Sequence, residues 1–471
     1  MTHPAPGTVV DGFTLEEKLY QGGMATLWRV KRDDIDFPIV MKLPRLNYGD
    51  DPAAIVGFEL EQMIMPALHG PHVPRFVAAG DFAGQPHIVM EFIEGESLRN
   101  RLDARPLAAD EVAAIGVKVA TALHDLHRQH VIHLDIKPSS VMMRPNGDAV
   151  LIDFGLAHHN RLPDLLAEQF HLPMGTGPYI SPEQVLGVRS DSRSDIFALG
   201  VTLYYLATGE RPFGNPSSVH GLRERLYRMP PPPRTLNADF PPWLQEVILH
   251  CLEIDPDRRY ESAAQVALDL KNPAHVVLTE RAQRTTTDGW LASLKRRWRA
   301  LGDPPPLKHS IADHLDTAPI VMAAVDVSPG SDALAEALRR CAQRTLGNKP
   351  SARLACVTVL KVARVAQESN VDEQGRNLHV QRLIELKHWA QPLSGMAGQI
   401  TFHVLEAPDP AGALVEYATK NHVDEIIIGA RSSSMLRRYL GSVSSQVVAE
   451  SSCTVTVVRA PHAPSESAAT E

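Results

Sequence analysis

Five apolar runs rich in Val and Ile recur at regular intervals between residues 318 and 460, and they narrow the possible folds more than any other feature of the chain. The runs are PIVMAAVDV, ARLACVTVLKV, QITFHVLE, DEIIIGA and CTVTVVR. Helical patterns such as DALAEALRRCAQRT and GALVEYATKN lie between them. Buried strands that alternate with helical crossovers predict an open parallel α/β sheet of five strands, a Rossmann-like arrangement. Ligands of such sheets bind at the carboxyl ends of the strands, near a switch in strand order.

The length of 471 residues exceeds what one hydrophobic core can organise and predicts two or three domains. The formal net charge of -8 argues against general nucleic-acid binding. No apolar run reaches the roughly 18 residues of a membrane-spanning helix, and the first residues lack the pattern of a secretory signal. Four scattered cysteines without a CxxC pair favour reduced thiols over a zinc site. We therefore expect a cytoplasmic protein.

A different order, strands first and helices afterwards, runs from about residue 11 to residue 271 and predicts an α+β domain. The segment LYQGGMATLWRVKR places Gly22 and Gly23 between two strand-like stretches, where glycines let backbone N–H groups approach phosphate oxygens. A plain hairpin turn is the simpler alternative. Lys42 stands inside the apolar strand FPIVMKLPR, and a lysine there is more often an edge residue with its ammonium group in water.

Further along the chain, charged residues stand in a series of short, distinctive segments. The segment HLDIKPSS puts Asp135 and Lys137 in one short loop, and the apolar strand of VLIDFGLA ends at Asp153, which is placed to reach a metal ion. The segments GTGPYISPE, DIFALG and DPDRRY come next. A chance occurrence of all these segments in this order is negligible.

Taken together, these segments resemble a eukaryotic-type Ser/Thr protein kinase domain of the bacterial kind, a bilobal α+β fold, over residues 11–271. The resemblance implies that Lys42 holds the α- and β-phosphates of ATP and pairs with a helix glutamate. Glu61 fits that role by its distance to the LHGPHV turn, and Glu59 is the alternative because residues two apart on a helix face different ways. Structural roles are implied for Glu183 and Arg259, as an ion pair, and for Asp195, as an anchor of the catalytic loop, which is the segment HLDIKPSS.

The same resemblance implies the catalytic and nucleotide-binding residues. Asp135 is expected to accept the proton of the substrate hydroxyl, Asp153 to bind Mg²⁺ or Mn²⁺, and Lys137 to neutralise the transferring phosphoryl group. Lys137 together with Thr176 is typical of Ser/Thr kinases rather than Tyr kinases. The residues expected to bind the nucleotide are Gly22, Gly23, Leu27, Val40, Lys42, Met90 as gatekeeper, the backbones of Glu91 and Ile93, and Met142.

Two departures from the family pattern concern the loop and the segment that follows it. Leu134 replaces the arginine that normally binds a phosphate on the activation segment, which we define as residues 155–175. That segment contains no Ser, Thr or Tyr, so the cation and its phosphate are missing together. We expect a kinase that needs no phosphorylation of this segment and holds it by packing Leu165, Leu166 and Phe170.

Two further departures affect nucleotide and metal binding. Tyr20 and Ala25 replace the first and third glycines of the glycine loop, which is expected to loosen ATP binding without abolishing it. Ser140 replaces the asparagine that binds the second metal ion and braces Asp135. A serine hydroxyl can still bind Mg²⁺ directly or through water, so we expect an active enzyme of reduced rate. A pseudokinase is the alternative.

The C-terminal sheet resembles the universal stress protein family. Asp326, after the first strand, matches the adenine-contacting position, and Gly429 with Gly441 and Ser442 matches the nucleotide loop, whose N–H groups would hold phosphate at the start of a helix. Ser432 takes the place of the second glycine. The alternative is a member that binds no nucleotide and dimerises through its last strand, CTVTVVR.

Residues 272–317 are predicted to be a linker, and residues 461–471 a disordered tail. The linker segment DGWLASLKRRWRALG has an amphipathic pattern, with an apolar face of Trp290, Leu291, Leu294, Trp298 and Leu301 opposite the basic Lys295, Arg296 and Arg299. This pattern favours packing on the kinase lobe or a partner, or contact with a membrane surface. Thr285, Thr286 and Thr287 are candidate autophosphorylation sites.

The sequence therefore predicts a multidomain cytoplasmic Ser/Thr protein kinase that uses MgATP to phosphorylate protein hydroxyls. Its C-terminal domain, residues 318–460, is expected to sense nucleotide or stress and to form a homodimer. The alternative is a nucleotide-binding scaffold or sensor without phosphotransfer. Expected partners are ATP, protein substrates and a second copy of the chain, and no nucleic acid.

Overall fold

A computed structural model describes nine stretches of the chain, which form two compact units. The first unit is built mainly from residues 4–287 and the second mainly from residues 318–460. The described stretches are residues 4–45, 51–82, 84–170, 172–287, 295–298, 318–328, 331–362, 377–430 and 441–460. Within these stretches, no helix has both the length and the apolar character needed to cross a bilayer.

An antiparallel sheet with the strand order β1-β2-β3-β4-β6-β5 opens the first unit. Its strands are β1 Val9–Val10, β2 Phe13–Gln21, β3 Ala25–Lys31, β4 Ile39–Pro44, β5 Phe76–Gly80 and β6 His87–Glu91. Alternate residues of β2, β3 and β4 point into one small apolar core, as the period of two in a half-buried sheet requires. The helix α1 (Pro52–Ile64) follows β4, and its buried residues Val56, Leu60 and Ile64 belong to the larger core of the unit.

Helices dominate the rest of the first unit. They are α2 Ala109–Arg128, α3 Leu165–Gln169, α4 Pro182–Val185, α5 Arg193–Thr208, α6 Val219–Arg223, α7 Pro233–Leu236, α8 Pro242–Cys251, α9 Ala263–Lys271 and α10 Glu280–Gln283. The helix α5 is buried along almost its whole length, so it forms the centre of the core, and α2 and α8 pack against it. Five short strands form two small antiparallel sheets. The strand β7 (Glu96–Ser97) precedes α2, and the other four lie between α2 and α3: β8 Val131–Ile132, β9 Val141–Met143, β10 Ala149–Leu151 and β11 His158–His159.

A strap that follows α9, residues 272–285, returns to the body of the first unit. Two buried side chains of α8 hold it. The Glu246 carboxylate accepts hydrogen bonds from the Thr279 and Ala282 N–H groups, both at 3.0 Å, and pairs with Arg281 at 2.9 Å. The Gln245 amide donates to the Arg281 carbonyl at 2.7 Å. These contacts make the strap part of the first unit, although the sequence predicts a linker from residue 272.

The amphipathic linker segment is described only at residues 295–298, which are helical. Arg296 Nε donates to the Tyr227 carbonyl at 2.9 Å, and the Trp298 side chain is exposed. The rest of the predicted apolar face, Trp290, Leu291, Leu294 and Leu301, lies outside the described residues, as does the predicted tail at 461–471. Thr285, the last residue of the strap, is exposed, as are Thr286 and Thr287 after it.

The second unit is a five-stranded sheet in which every neighbouring pair is parallel, which confirms the predicted α/β fold. Its strands are β12 Ile320–Ala324, β13 Arg353–Lys361, β14 Gln399–Ala407, β15 Glu425–Ala430 and β16 Thr454–Arg459. The order β14-β13-β12-β15-β16 reverses direction at β12. The carboxyl ends of β12 and β15 therefore lie side by side at the switch point, where open α/β sheets bind ligands.

Four helices follow the strands of this sheet: α11 Asp332–Asn348, α12 Leu378–Ala390, α13 Pro410–Lys420 and α14 Ser442–Glu450. Cys356 on β13 and Cys251 on α8 are both buried free thiols. Burial raises the pKa of the Cys251 thiol to about 12. Both are therefore inert core residues, as the scattered positions of the cysteines predict.

Candidate active site

Lys42 on β4 lies between two carboxylates from distant parts of the first unit. Its ammonium nitrogen is 2.7 Å from Glu61 Oε2 on α1 and 2.8 Å from Asp153 Oδ1, which follows β10. Burial opposes the charge of Lys42, but the two carboxylates outweigh it and raise the pKa of Lys42 above its usual value. The structure pairs Lys42 with Glu61 and not with the alternative Glu59.

The two carboxylates differ in their surroundings. Glu61 is buried, and burial raises its pKa, although the Lys42 ammonium counteracts this. The Lys42 charge lowers the pKa of Asp153 to about 2, and 52% of the Asp153 side chain is exposed. Asp153 is therefore an ionised carboxylate with one face open to a ligand, which fits a divalent cation that arrives with phosphate oxygens.

A glycine on α1 sets the distance between Glu61 and Asp153. A Cβ added at Gly57 would lie 2.7 Å from the carbonyl oxygen of Gly155, which is closer than real Cβ atoms approach. The helix therefore packs directly on the backbone that carries Asp153, two residues before Gly155. This role of Gly57 is not visible in the sequence, because a glycine inside a helical pattern gives no sign of what it touches.

Asp135 and Lys137 meet Thr176 at the other end of the activation segment. Lys137 Nζ donates to Asp135 Oδ2 and, at 2.9 Å, to the Thr176 hydroxyl. The Thr176 N–H donates to Asp135 Oδ1 at 2.8 Å. The three predicted residues thus form one hydrogen-bonded cluster, in which a carboxylate lies next to a cation and a hydroxyl.

The Ser140 hydroxyl is used inside the catalytic loop. It is 1% exposed, accepts the Lys137 N–H at 3.0 Å, and lies 3.1 Å from the Asp135 carbonyl and 2.9 Å from the Lys137 carbonyl. Its proton can be donated to only one of these two carbonyls. This engagement favours a bracing role for Ser140 over direct metal binding.

Asp195 on α5 anchors the loop from the core, as the resemblance implies. Its carboxylate is fully buried and accepts the N–H groups of His133 and Leu134, both at 2.8 Å. The predicted ion pair between Glu183 and Arg259 is also present, at 2.6 Å and with both side chains nearly fully buried. Gln184, which sequence analysis missed, donates to the Leu134 carbonyl at 2.9 Å.

Of the nucleotide-binding residues predicted in the first unit, Leu27, Val40, Met90, Glu91 and Met142 lie on strands, and Ile93 lies two residues beyond β6. Leu27 pairs with Lys42 in register across β3 and β4, and Val40 pairs with Met90 across β4 and β6. Met142 lies on β9. The Glu91 N–H donates to the Arg75 carbonyl at 2.8 Å, so a ligand at this residue would have to use the Glu91 carbonyl.

The glycine turn between β2 and β3 is shaped by the tyrosine that replaces its first glycine. A Cβ at Gly22 would lie 2.9 Å from the Tyr20 ring, whereas one at Gly23 would meet nothing within 4 Å. A side chain at position 22 would therefore have to displace the exposed Tyr20 ring, whereas Gly23 remains open to a ligand. The Gly22 N–H donates to the Ala25 carbonyl at 2.9 Å and closes the turn.

The second unit brings two of its predicted site residues to one edge. Asp326 lies two residues beyond β12 and Gly429 near the end of the adjacent β15, so both are at the switch point. The Asp326 carboxylate accepts the Ser328 N–H at 3.0 Å. Gly441 and Ser442 begin α14. The intervening residues 431–440, including Ser432, lie outside the described residues.

Comparison with known proteins assigns both units. The model of the protein kinase domain family matches residues 13–269, and that of the universal stress protein family matches residues 319–459. The serine/threonine-protein kinase PknB of Mycolicibacterium smegmatis is 32% identical over 270 residues, which are 56% of this chain and 43% of that protein. The serine/threonine-protein kinase PrkC of Bacillus subtilis is 30% identical over 251 residues, which are 53% of this chain and 38% of that protein.

The chain therefore spans about two fifths of the length of these curated relatives. Among solved structures, the kinase domain of PknI from Mycobacterium tuberculosis aligns over 57% of this chain and 100% of that chain, at 24% identity and a TM-score of 0.46.

Proposed function

The chain belongs to the protein kinase family, and on that premise we propose that it transfers the γ-phosphoryl group of MgATP to Ser or Thr hydroxyls of proteins. The relatives named above are serine/threonine-protein kinases, which supports this substrate class. The observation that carries the proposal is the network Glu61–Lys42–Asp153, because it aligns a phosphate-binding cation with an ionised, half-exposed carboxylate.

In the proposed reaction, Asp135 receives the proton of the acceptor hydroxyl, and Lys137 balances charge on the phosphoryl group as it moves. Both positions follow from the cluster with Thr176, whose N–H and hydroxyl hold the carboxylate and the ammonium group in place. Because both oxygens of Asp135 are engaged, the acceptor hydroxyl would share Oδ2 with Lys137. The Thr176 contact supports Ser and Thr as acceptors.

The residue that would hold a divalent cation is Asp153. Magnesium, when bound, would neutralise the charge that develops on the β- and γ-phosphates. Ser140 was expected to help bind it, but its burial and its hydrogen bonds within the loop favour a different contribution, which is to fix the backbone between Asp135 and Lys137. We propose that the loop works with Ser140 as a brace and with Asp153 as the main protein ligand of the metal.

The test is a γ-phosphoryl transfer assay with the full chain, with Mg²⁺ and with Mn²⁺ in turn. Autophosphorylation and a mixed Ser/Thr peptide library are the acceptors, followed by identification of the phosphorylated amino acid. The variants are wild type, Asp153→Ala and Ser140→Asn. Transfer by wild type that Asp153→Ala abolishes supports the proposal. Silence of wild type with both metals, although it binds ATP, would instead favour the scaffold or sensor alternative.

For the second unit we propose nucleotide binding at the switch point and homodimerisation through β16, an edge strand of the sheet. The support is the side-by-side position of Asp326 and Gly429 and the half-exposed pattern of β16. Equilibrium binding of ATP to the full chain counts the sites: two per chain are expected in wild type and one in Asp326→Ala. Sedimentation at several concentrations tests the dimer, and a chain ending at residue 305 is expected to be monomeric.

A further inference from the structure

The activation segment contains no hydroxyl that could carry a phosphate, yet its charged residues form a defined set of contacts. Sequence analysis predicts that packing of Leu165, Leu166 and Phe170 holds it. Leu165 and Leu166 are buried on α3, and Phe170 packs against the same core. Packing is therefore present, but a buried ion pair one residue before α3 adds to it.

Asp164 is the centre of that ion pair. Its Oδ2 lies 2.7 Å from Arg189 Nε and 3.1 Å from His158 Nδ1, and its Oδ1 accepts the Ala167 N–H at 3.1 Å as the N-cap of α3. The three side chains are only 11–15% exposed. Water therefore screens these charges less than it screens a surface ion pair. The carboxylate therefore connects the start of α3 to Arg189, in the loop after α4.

Arg189 connects that carboxylate to the fixed part of the lobe. One of its terminal nitrogens donates to the Leu156 carbonyl at 2.9 Å, at the beginning of the activation segment. Arg189 follows α4, where the Val188 N–H donates to the Glu183 carbonyl at 2.9 Å. Glu183 is in turn held by the buried Arg259. The cation is therefore connected, through the backbone of residues 183–188, to the buried ion pair of Glu183 and Arg259.

The protonation state of Asp164 fits a permanent contact. Burial favours the neutral carboxyl, but the hydrogen bond from His158 and the charge of Arg189 outweigh it, and the pKa of Asp164 lies far below its usual value. A group with a lowered pKa contributes stability above its unfolded-state value of 3.8 and loses it only as the pH falls through the folded-state value. The ion pair is therefore complete at neutral pH.

We propose that Asp164 and Arg189 are positioning residues that hold the activation segment where other kinases use a phosphate and an arginine of the catalytic loop. The inference rests on the proposed kinase function. As in those kinases, an anion of the segment pairs with a cation outside it. Here the anion is the Asp164 carboxylate instead of a phosphate, and the cation is Arg189 instead of an arginine at position 134. Leu134, which fills the vacated position, is buried.

The contact matters for phosphoryl transfer because of what the segment joins. It begins beside Asp153 and ends at Thr176, which holds Asp135 and Lys137. Release of its middle part would leave Lys42, Glu61 and ATP binding intact but would loosen the surface on which a protein substrate is placed. The expected signature is therefore a lower kcat and a higher KM for the protein substrate, with the affinity for ATP unchanged.

The matched variants are Asp164→Asn, Asp164→Ala and Arg189→Gln. Asparagine still caps α3 but carries no charge, whereas alanine removes both contributions. We expect Asp164→Asn and Arg189→Gln each to lower kcat/KM for a peptide acceptor by roughly 10- to 100-fold. The double variant is expected to be no worse than either single variant, because both remove the same contact. Arg189→Lys is expected to recover part of the rate.

Asp34→Asn serves as the control, because it removes the solvent-exposed ion pair with Arg32 at 2.6 Å and leaves the segment untouched. Hydrogen exchange of residues 156–170 gives a readout that does not need activity. Removal of a buried partner lowers the unfolding temperature, so the assay is run well below that of the variant. Faster exchange confined to these residues in Asp164→Asn, at an unchanged ATP affinity, supports the inference even if wild type transfers no phosphate, a result that would defeat only the proposed function. An active wild type whose Asp164→Asn variant matches it in rate and exchange would overturn the inference.

Discussion

The two units of this chain carry their candidate nucleotide sites in different ways. In the first unit, the charged side chains of Lys42 on β4, Glu61 on α1 and Asp153 after β10 meet within hydrogen-bond distance, so the site is a network of named atoms. In the second unit, a parallel sheet brings Asp326 and Gly429 to one edge, and the site is mainly a backbone position. We therefore expect the same type of substitution to change the phosphoryl-transfer rate or the stability by unequal amounts in the two units.

The largest contrast is expected between Lys42→Met and Asp326→Ala. Loss of the Lys42 cation removes the partner of both Glu61 and Asp153, and we expect phosphoryl transfer to fall by roughly 1000-fold. Asp326→Ala should change the transfer rate by less than about twofold, since that residue touches none of these groups. Initial rates of both variants at saturating ATP give the comparison. A large effect of Asp326→Ala would show that the C-terminal unit contributes to catalysis.

A second contrast uses one ion pair from each unit. Arg259→Met leaves the buried Glu183 without its cation and is expected to lower the free energy of unfolding of the first unit by about 3–5 kcal/mol. Lys349→Met removes the partly exposed pair with Glu425, whose nitrogen–oxygen distance is 3.0 Å, and should cost about 1 kcal/mol or less. Denaturant unfolding that resolves the two units measures both. Equal costs would contradict the assignment of buried and exposed roles.

Two glycines with similar close approaches provide the third contrast. A Cβ at Gly57 would strike the Gly155 backbone at 2.7 Å, whereas a Cβ at Gly429 would strike the end of the Leu334 side chain at 2.8 Å. The Gly155 backbone cannot rotate away as a side chain can, so Gly57→Ala should push α1 away from it. We expect the transfer rate to fall by roughly 10- to 100-fold. Gly429→Ala should be tolerated after Leu334 changes rotamer. Transfer rates and unfolding temperatures of the two variants test this contrast, and equal effects of the two substitutions would contradict it.

The smallest expected effect concerns pH. The Lys42 charge lowers the pKa of Asp153 from 3.8 to about 2, so the pairing stabilises the fold fully above the unfolded value and is lost as the pH falls through the folded value. Because half of Asp153 is exposed, screening limits the gain to about 1 kcal/mol. The stability difference between wild type and Asp153→Asn should be constant between about pH 5 and 8 and shrink below about pH 4. Denaturant unfolding along this range measures it.

Some of this architecture could be predicted from the sequence, because the signals are local. Val- and Ile-rich runs between helical patterns predicted the five parallel strands, since buried crossover sheets require that composition. The order of those strands was not predictable, because a crossover helix does not specify on which side of the preceding strand the next strand is added. Asp135, Lys137 and Asp153 could be predicted as site residues because each stands in a short segment with a recognisable pattern.

Other contacts could not have been predicted, because they join residues with no common pattern. Asp164 and Arg189 are 25 residues apart, and neither stands in a recognisable motif. The hydroxyl of Ser140 was expected at a metal ion, but a short side chain in a tight loop reaches its own backbone first. The sequence predicts a linker at the strap because Gln245 and Glu246 bind mostly its backbone groups. Every residue has such groups, so these contacts leave no pattern in the sequence.

That strap has a practical consequence for cutting the gene into expressible fragments. A fragment that stops at residue 271 would strip the Glu246 carboxylate of its hydrogen bonds from Thr279 and Ala282 and expose a face of α8 that is normally covered. A buried carboxylate that loses its donors destabilises the protein around it. Fragments that end at residue 287 keep these contacts, so the useful boundary for expression lies sixteen residues beyond the last turn of α9.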